Sequence, residues 1–123
     1  MFYHGPKKSY RLWNGSKIPS TWLKTNNKAV ALQRMDENYQ RSKHDPEDAF
    51  HVTQGVLTAE SSDIACCGFM SSLKCCLGLP MCKATAKWVR GKKIGKGGLN
   101  IIIADFVECN YFIDKVIELN QLH

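Results

Sequence analysis

The spacing of hydrophobic and polar residues predicts a first helix over about residues 28–41. Apolar side chains recur in this segment at intervals of three and four, so they fall on one face of a helix. Asn26 or Asn27 is placed to cap the first turn, because asparagine is a favoured N-cap residue. The face that this helix would bury consists of Leu32, Met35 and Tyr39.

Two later segments predict helices with recognisable ends. Residues 61–80 begin with Ser-Ser-Asp and end in glycine and proline, which is typical of a helix start and stop, and their apolar content predicts a mostly buried helix. A short helix is expected after Pro80. The last helix is predicted over about residues 106–120, where Asp105 and Glu108 have the spacing of a capping box.

Three segments have the composition of β-strands. Residues 49–57 and the "LNIII" stretch at 99–103 are rich in β-branched and aromatic residues. Residues 2–18 predict a hairpin, because the Asn14–Gly15 pair favours a tight turn between strands. We therefore expect an α+β fold with a small antiparallel sheet packed with about three to four helices.

The composition fits one folded domain over residues 1–123. The chain is 44% hydrophobic and 23% charged, and no apolar run reaches the length of a membrane span. The N-terminus lacks the basic-then-apolar order of a signal peptide. We expect a soluble protein of a reducing compartment, the cytosol or the nucleus, in which all six cysteines are free thiols.

Positive charge is concentrated in one part of the chain. The formal net charge is +6, and no acidic residue lies between Asp63 and Asp105. This field attracts phosphate-bearing or acidic partners, so the expected ligand is either RNA or an acidic host protein. The other interpretation is a solvated basic face around a buried tryptophan. The candidate nucleic-acid-binding residues are Lys83, Lys87, Trp88, Arg90, Lys92, Lys93 and Lys96.

The sequence predicts neither a metal site nor a cofactor. The cysteines at 66–82 follow the pattern CC-x7-CC-x5-C, which lacks the paired spacing of zinc ligands, so they are interpreted as core filling. The glycine-rich loop at 91–98 does not match a phosphate-binding P-loop, because no Gly-Lys-Ser/Thr follows at the required distance.

Cys109 has two interpretations. If Asp105 caps the last helix, Cys109 is the fourth helical residue, where the backbone N–H groups and the helix dipole favour a thiolate nucleophile. In the other interpretation it is a core residue, because it falls on an apolar stripe with Phe106, Ile113 and Val116. A nucleophilic cysteine also needs a base, and His4 and His51 lie in predicted strands.

The segment "ECNYFIDKVIEL" resembles the cysteine motif of the H-box/NC family, which includes lecithin:retinol acyltransferase. Cys109 and Phe112 match the Cys-x-x-Phe of that motif. The resemblance implies a permuted papain-like fold, in which early histidines meet a late cysteine. It makes Cys109 the nucleophile, His4 in "FYHG" the base and His51 in "AFHV" the orienting partner of an acyltransferase or hydrolase-like site.

The same resemblance raises a viral origin, because some picornaviruses carry a protein of this family among their non-structural proteins. Members can keep the fold without catalysis, so activity does not follow from the fold. The second functional hypothesis is a non-enzymatic binding module that engages RNA or an acidic protein through its basic face.

Overall fold

The computed structural model describes residues 15–44 and 49–120. Four α-helices and two short β-strands follow a 3-10 turn at Gly15–Lys17, and a π-helical turn at Lys74–Gly78 leads into the third helix. The elements are α1 (Lys28–Ser42), β1 (Val52–Gly55), α2 (Ser61–Met70), α3 (Leu79–Trp88), β2 (Ile101–Ala104) and α4 (Phe112–Leu119). The α+β class predicted from the sequence is confirmed.

Helix α1 forms where the hydrophobic spacing predicts it. The side chain of Asn27 accepts hydrogen bonds from the backbone N–H groups of Ala29 and Val30, and so satisfies two donors that the first turn cannot use. Met35 and Tyr39 are buried on the inner face. The N-cap and the apolar stripe together explain why this helix begins and packs where it does.

The sheet is parallel, and the prediction of an antiparallel sheet is therefore wrong. Strand β1 pairs with β2 in a register that places Val52 opposite Ile101 and Gly55 opposite Ala104. Helices α2 and α3 lie between the two strands in sequence, and a helical crossover returns the chain to the end of the sheet where it began, which makes the strands parallel.

The core lies between the helices and one face of this sheet. One cluster joins Leu23 to residues of α1 and α3, and a second joins α3 to α4 through Cys82 and Phe112. At the end of β1, a Cβ atom added to Gly55 would lie 2.5 Å from Oγ1 of Thr85 in α3. The strand and helix are therefore so close that only glycine fits at this point.

The predicted helix over residues 61–80 is interrupted. Helix α2 ends at Met70, and the extended backbone of Ser71 separates it from the π-helical turn and from α3, which begins with Leu79 and Pro80. This break prevents one continuous buried face. The expectation that the cysteines are core filling holds for Cys67 and Cys82, but it is wrong for the exposed Cys66, Cys75 and Cys76.

The last helix begins later than its sequence predicts. Phe106, Asn110 and Tyr111 adopt left-handed backbone conformations, and α4 starts only at Phe112. The predicted Asp105–Glu108 capping box therefore does not begin this helix, because the N-cap residue is Tyr111. Cys109 lies in the turn before the helix, and its prediction as the fourth helical residue is wrong.

The structure describes only the second strand of the predicted N-terminal hairpin. Residues 15–17 form a 3-10 turn there instead of a strand, whereas the first strand and Asn14 fall outside the described residues. The next segment approaches the sheet, where Ser20 forms a parallel bridge with Val52. In the described ranges, none of the helices has both the length and the apolar content needed to cross a membrane.

Candidate functional site

An open groove of about 1180 Å³ runs along the outer side of α3. Its walls come from the start of α1, the π-helical turn, α3 with the residues just after it, and the segment from Asn110 to Lys115. The cationic residues that line it are Lys28, Lys83, Lys87, Arg90 and Lys115. Among the residues that the structure describes, no carboxylate lines the groove.

The amphipathic pattern of α3 explains this concentration of charge. Met81, Cys82, Thr85 and Ala86 are buried on the inner face of the helix. Lys83, Lys87 and Arg90 are spaced four and three residues apart, so they share another face, and all three are exposed. Burial of the apolar side chains therefore fixes the direction in which the cations point.

Most of the positive charge in the groove is not neutralised. The ammonium group of Lys115 pairs with the carboxylate of Glu118 one turn later in α4. Lys28, Lys83 and Lys87 have no carboxylate within ion-pairing distance among the residues that the structure describes. Such unpaired cations around a concave surface attract an anion more strongly than the same charges on a convex surface.

The groove also offers apolar surface between its cations. These side chains come from α1 and α3, and several of them are only partly buried. A ligand that carries both a phosphate and a hydrocarbon portion can therefore contact charge and apolar surface in the same place. The apolar lining residues are Leu32, Leu79, Pro80, Ala84, Ala86 and Trp88.

Trp88 is held by a polar cluster instead of standing open to stack on a base. Its indole Nε1 donates a hydrogen bond of 2.9 Å to the carboxylate of Asp36, and its ring meets that of Tyr39 edge-on at 6.1 Å. The ammonium of Lys92 lies 2.6 Å from the same carboxylate and 4.5 Å from the indole centroid. Partial burial opposes ionisation of Asp36, but the hydrogen bonds from Lys92 and Trp88 outweigh it and lower its pKa.

The structure thus separates the seven basic-face residues predicted from the sequence into two groups. Lys83, Lys87, Trp88 and Arg90 line the groove. Lys92 turns towards Asp36, while Lys93 and Lys96 lie in the loop at 91–98, outside the groove. The sequence did not single out Lys28 and Lys115, because they are distant in the chain and only the fold brings them beside α3.

Two of the predicted catalytic residues, His51 and Cys109, lie in different parts of the molecule. His51 precedes β1, and its backbone N–H donates to the side chain of Asn100, which places it at the N-terminal end of the parallel sheet. Cys109 follows the C-terminal end, and its thiol lies 3.7 Å from the carboxylate of Glu108. His4 falls outside the described residues. A catalytic role for these three residues stays a prediction.

Three cysteines interact where α2 meets the π-helical turn: Cys66, Cys67 and Cys76. A hydrogen bond with Cys76, together with desolvation, raises the pKa of Cys67 to about 11. Hydrogen bonds from Ser72 and Ser71 lower the pKa of Cys75. Within the described ranges, no group of three or more histidine, cysteine or acidic side chains is arranged to hold a metal ion.

We expect Cys75 to react with iodoacetamide at neutral pH much faster than Cys67. The thiolate is the reactive form, and a thiol of pKa 11 holds about a hundredfold less thiolate than one of pKa 9. Timed alkylation followed by peptide mass spectrometry gives the rate at each cysteine, and buried Cys82, whose pKa is raised by burial, is the slow reference. Equal rates at Cys67 and Cys75 would contradict the hydrogen-bond pattern.

Several curated proteins have sequences similar to that of this chain. The chain is 38% identical over 124 residues to the PI-PLC X domain-containing protein 2 of Mus musculus, a match that covers 99% of this chain and 36% of the relative. This similarity runs almost from end to end of the chain. The PI-PLC X domain-containing protein 3 of Homo sapiens is 33% identical, with 99% of this chain and 38% of the relative covered.

The chain spans little more than a third of the length of the curated relatives it matches. The PI-PLC X domain-containing protein 3 of Danio rerio shows the same partial coverage, at 37% of its length. No protein-family model matches the chain, and no solved structure matches it.

These relatives overturn the viral interpretation. They are vertebrate proteins named for a PI-PLC X domain, so the expectation of a viral non-structural protein is wrong. The H-box/NC resemblance is not confirmed, and it depends on a short segment whose cysteine lies before the helix instead of within it. Binding of RNA or of an acidic protein also finds no support among the relatives.

Proposed function

We propose that this chain binds the phosphorylated headgroup of an anionic phospholipid in the groove beside α3. The observation that carries this proposal is the lining of the groove, in which lysine and arginine side chains surround an apolar floor and no carboxylate contributes among the described residues. A phospholipid at a membrane surface presents matching groups. Its headgroup phosphate can bind the cations, and its hydrocarbon portion can contact the apolar floor.

Lys83 and Lys87 provide the strongest attraction. They lie one helical turn apart on α3, both are exposed, and neither has an ion pair among the residues described. Two ammonium groups at this spacing can contact separate oxygens of one phosphate or two neighbouring phosphates. Lys28 faces them from the start of α1 across the groove, so a phosphate seated between the helices is surrounded by positive charge.

The names of the relatives favour a lipid over other phosphate-bearing ligands. They are called PI-PLC X domain-containing proteins, a name that refers to a phospholipase C for phosphatidylinositol lipids. A headgroup of that class carries phosphate on an inositol ring. In a separate hollow lined by Arg90 and Lys115, the carboxylate of Glu118 offers a hydrogen-bond acceptor for hydroxyl groups.

The double variant Lys83→Gln, Lys87→Gln is expected to weaken binding to phosphoinositide vesicles about 30-fold, because each lysine near an anionic surface contributes roughly 1 kcal/mol. Affinity is measured by vesicle sedimentation with phosphatidylcholine vesicles, with and without a few mole per cent of a phosphatidylinositol phosphate. Binding should also weaken as salt concentration rises.

The matched control is the double variant Lys24→Gln, Lys93→Gln, which removes the same charge from exposed residues outside the groove. It should retain most of the affinity. If both pairs of substitutions weaken binding equally, the attraction comes from net charge and the groove is not the site. If vesicles with and without the phosphoinositide bind equally, the headgroup proposal is wrong.

A further inference from the structure

The break between α2 and the π-helical turn brings together two thiols of unequal exposure. Cys67 is buried near the end of α2, and Cys76 is exposed in the turn. Backbone hydrogen bonds hold both sides of the break, because the N–H of Ser71 donates to the carbonyl of Cys67 and the N–H of Cys76 donates to that of Ser72. The two thiols lie close enough to share a hydrogen bond.

The neighbouring cysteines are less well placed to form a disulfide. Adjacent residues of a helix do not face each other, so neither vicinal pair, at 66–67 or at 75–76, is well oriented for the bond. The thiol of Cys75 instead forms hydrogen bonds with two serines of the break, and the residue lines the groove. Among these four cysteines, the geometry therefore favours a bond between Cys67 and Cys76.

We propose that Cys67 and Cys76 are a peroxide-reactive pair that closes a disulfide between α2 and the π-helical turn. Cys76 reacts first, because it is exposed and a peroxide molecule can reach its sulfur. Cys67 is the second partner, because its thiol already contacts that of Cys76. An accessible thiol beside a second thiol is the usual arrangement of cysteines that sense oxidants.

The reaction has two balanced steps. The thiolate of Cys76 attacks one oxygen of hydrogen peroxide, the O–O bond breaks, and the products are a sulfenic acid and hydroxide, which takes up a proton to form water. The sulfur of Cys67 then attacks the sulfenic sulfur, the S–O bond breaks, and the leaving hydroxide takes the thiol proton of Cys67 as a second water. The peroxide accepts the two electrons that the thiols lose. The hydrogen bond that raises the pKa of Cys67 to about 11 keeps its proton in place until the second step.

The disulfide would also affect the groove beside α3. Cys75, the neighbour of Cys76 in the π-helical turn, lines that groove, while no described residue of α2 does. Oxidation therefore anchors one wall of the groove covalently to a separate helix.

The test treats the full 123-residue chain with equimolar hydrogen peroxide, blocks the remaining thiols with N-ethylmaleimide and maps disulfides by mass spectrometry of unreduced tryptic peptides. Trypsin cleaves after Lys74, between the two vicinal cysteine pairs, so the bond links two separate peptides. The variant Cys76→Ser should lower the yield of these linked peptides at least about tenfold. Because Cys76 is exposed, this substitution leaves the core intact.

The matched controls are Cys66→Ser and Cys75→Ser, which remove the neighbouring exposed thiols and should keep the yield within about twofold of the unsubstituted chain. Retention of the linked peptides in Cys76→Ser would assign the bond to another cysteine and refute the pair. Linked peptides found only in the dimer on a non-reducing gel would also refute it, because the bond would then join two chains. Oxidation of Cys76 to a sulfinic acid without linked peptides would show that Cys67 does not reach it.

Discussion

Replacing Met35 by alanine is expected to destabilise the chain by about 2–5 kcal/mol, because the side chain lies at the centre of the main core. Met35 is fully buried on α1 and belongs to a cluster with Leu23, Ala31 and Met81. The substitution leaves a cavity between α1 and α3 that the rigid backbone cannot close. Urea unfolding followed by circular dichroism measures the free energy of unfolding.

The control for this substitution is Met35→Leu, which keeps most of the volume and should cost less than about 1.5 kcal/mol. A similar loss of stability in both variants would mean that the sulfur, and not the filled volume, matters at this position. A loss below about 1 kcal/mol for the alanine variant would contradict the central place of Met35 in the core.

Replacing Gly55 by valine is expected to cost about 3 kcal/mol, because strand β1 approaches α3 too closely for any side chain. A Cβ atom at this position would lie 2.5 Å from Oγ1 and 2.7 Å from Cγ2 of Thr85, and Thr85 is itself completely buried. Because Thr85 is completely buried, its side chain cannot turn away into solvent. The strand or the helix must therefore move, and thermal unfolding measures the resulting loss of stability.

The same substitution at Gly68 provides a matched control. Gly68 is exposed on α2, and a Cβ atom there meets nothing within 4 Å. Valine is a better helix former than glycine, so Gly68→Val should change stability by no more than about 0.5 kcal/mol. If both valine variants lose stability equally, the close contact between Gly55 and Thr85 is not the cause.

The predictions that succeeded depend on information close together in sequence. Asn27 and the apolar face of α1 lie within one segment, and the capping and packing of that helix follow from it. The shared face of Lys83, Lys87 and Arg90 likewise follows from helical spacing alone. These local signals were sufficient to predict the α+β class and the cations on the outer side of α3.

The predictions that failed depend on distant contacts or on backbone conformations without a sequence signal. Phe106 and Tyr111 adopt left-handed conformations that are usual for glycine, so nothing in their side chains indicates the late start of α4. The ion pair of Lys92 with Asp36 joins residues 56 positions apart, so the sequence could not separate Lys92 from the groove cations. Strand direction likewise depends on the crossover and not on the composition of either strand.

Helix α3 stands between the groove and the strands. Its inner side packs towards the core, while its outer side lines the groove. A ligand in the groove would therefore contact a helix whose opposite side is already held in place by close packing.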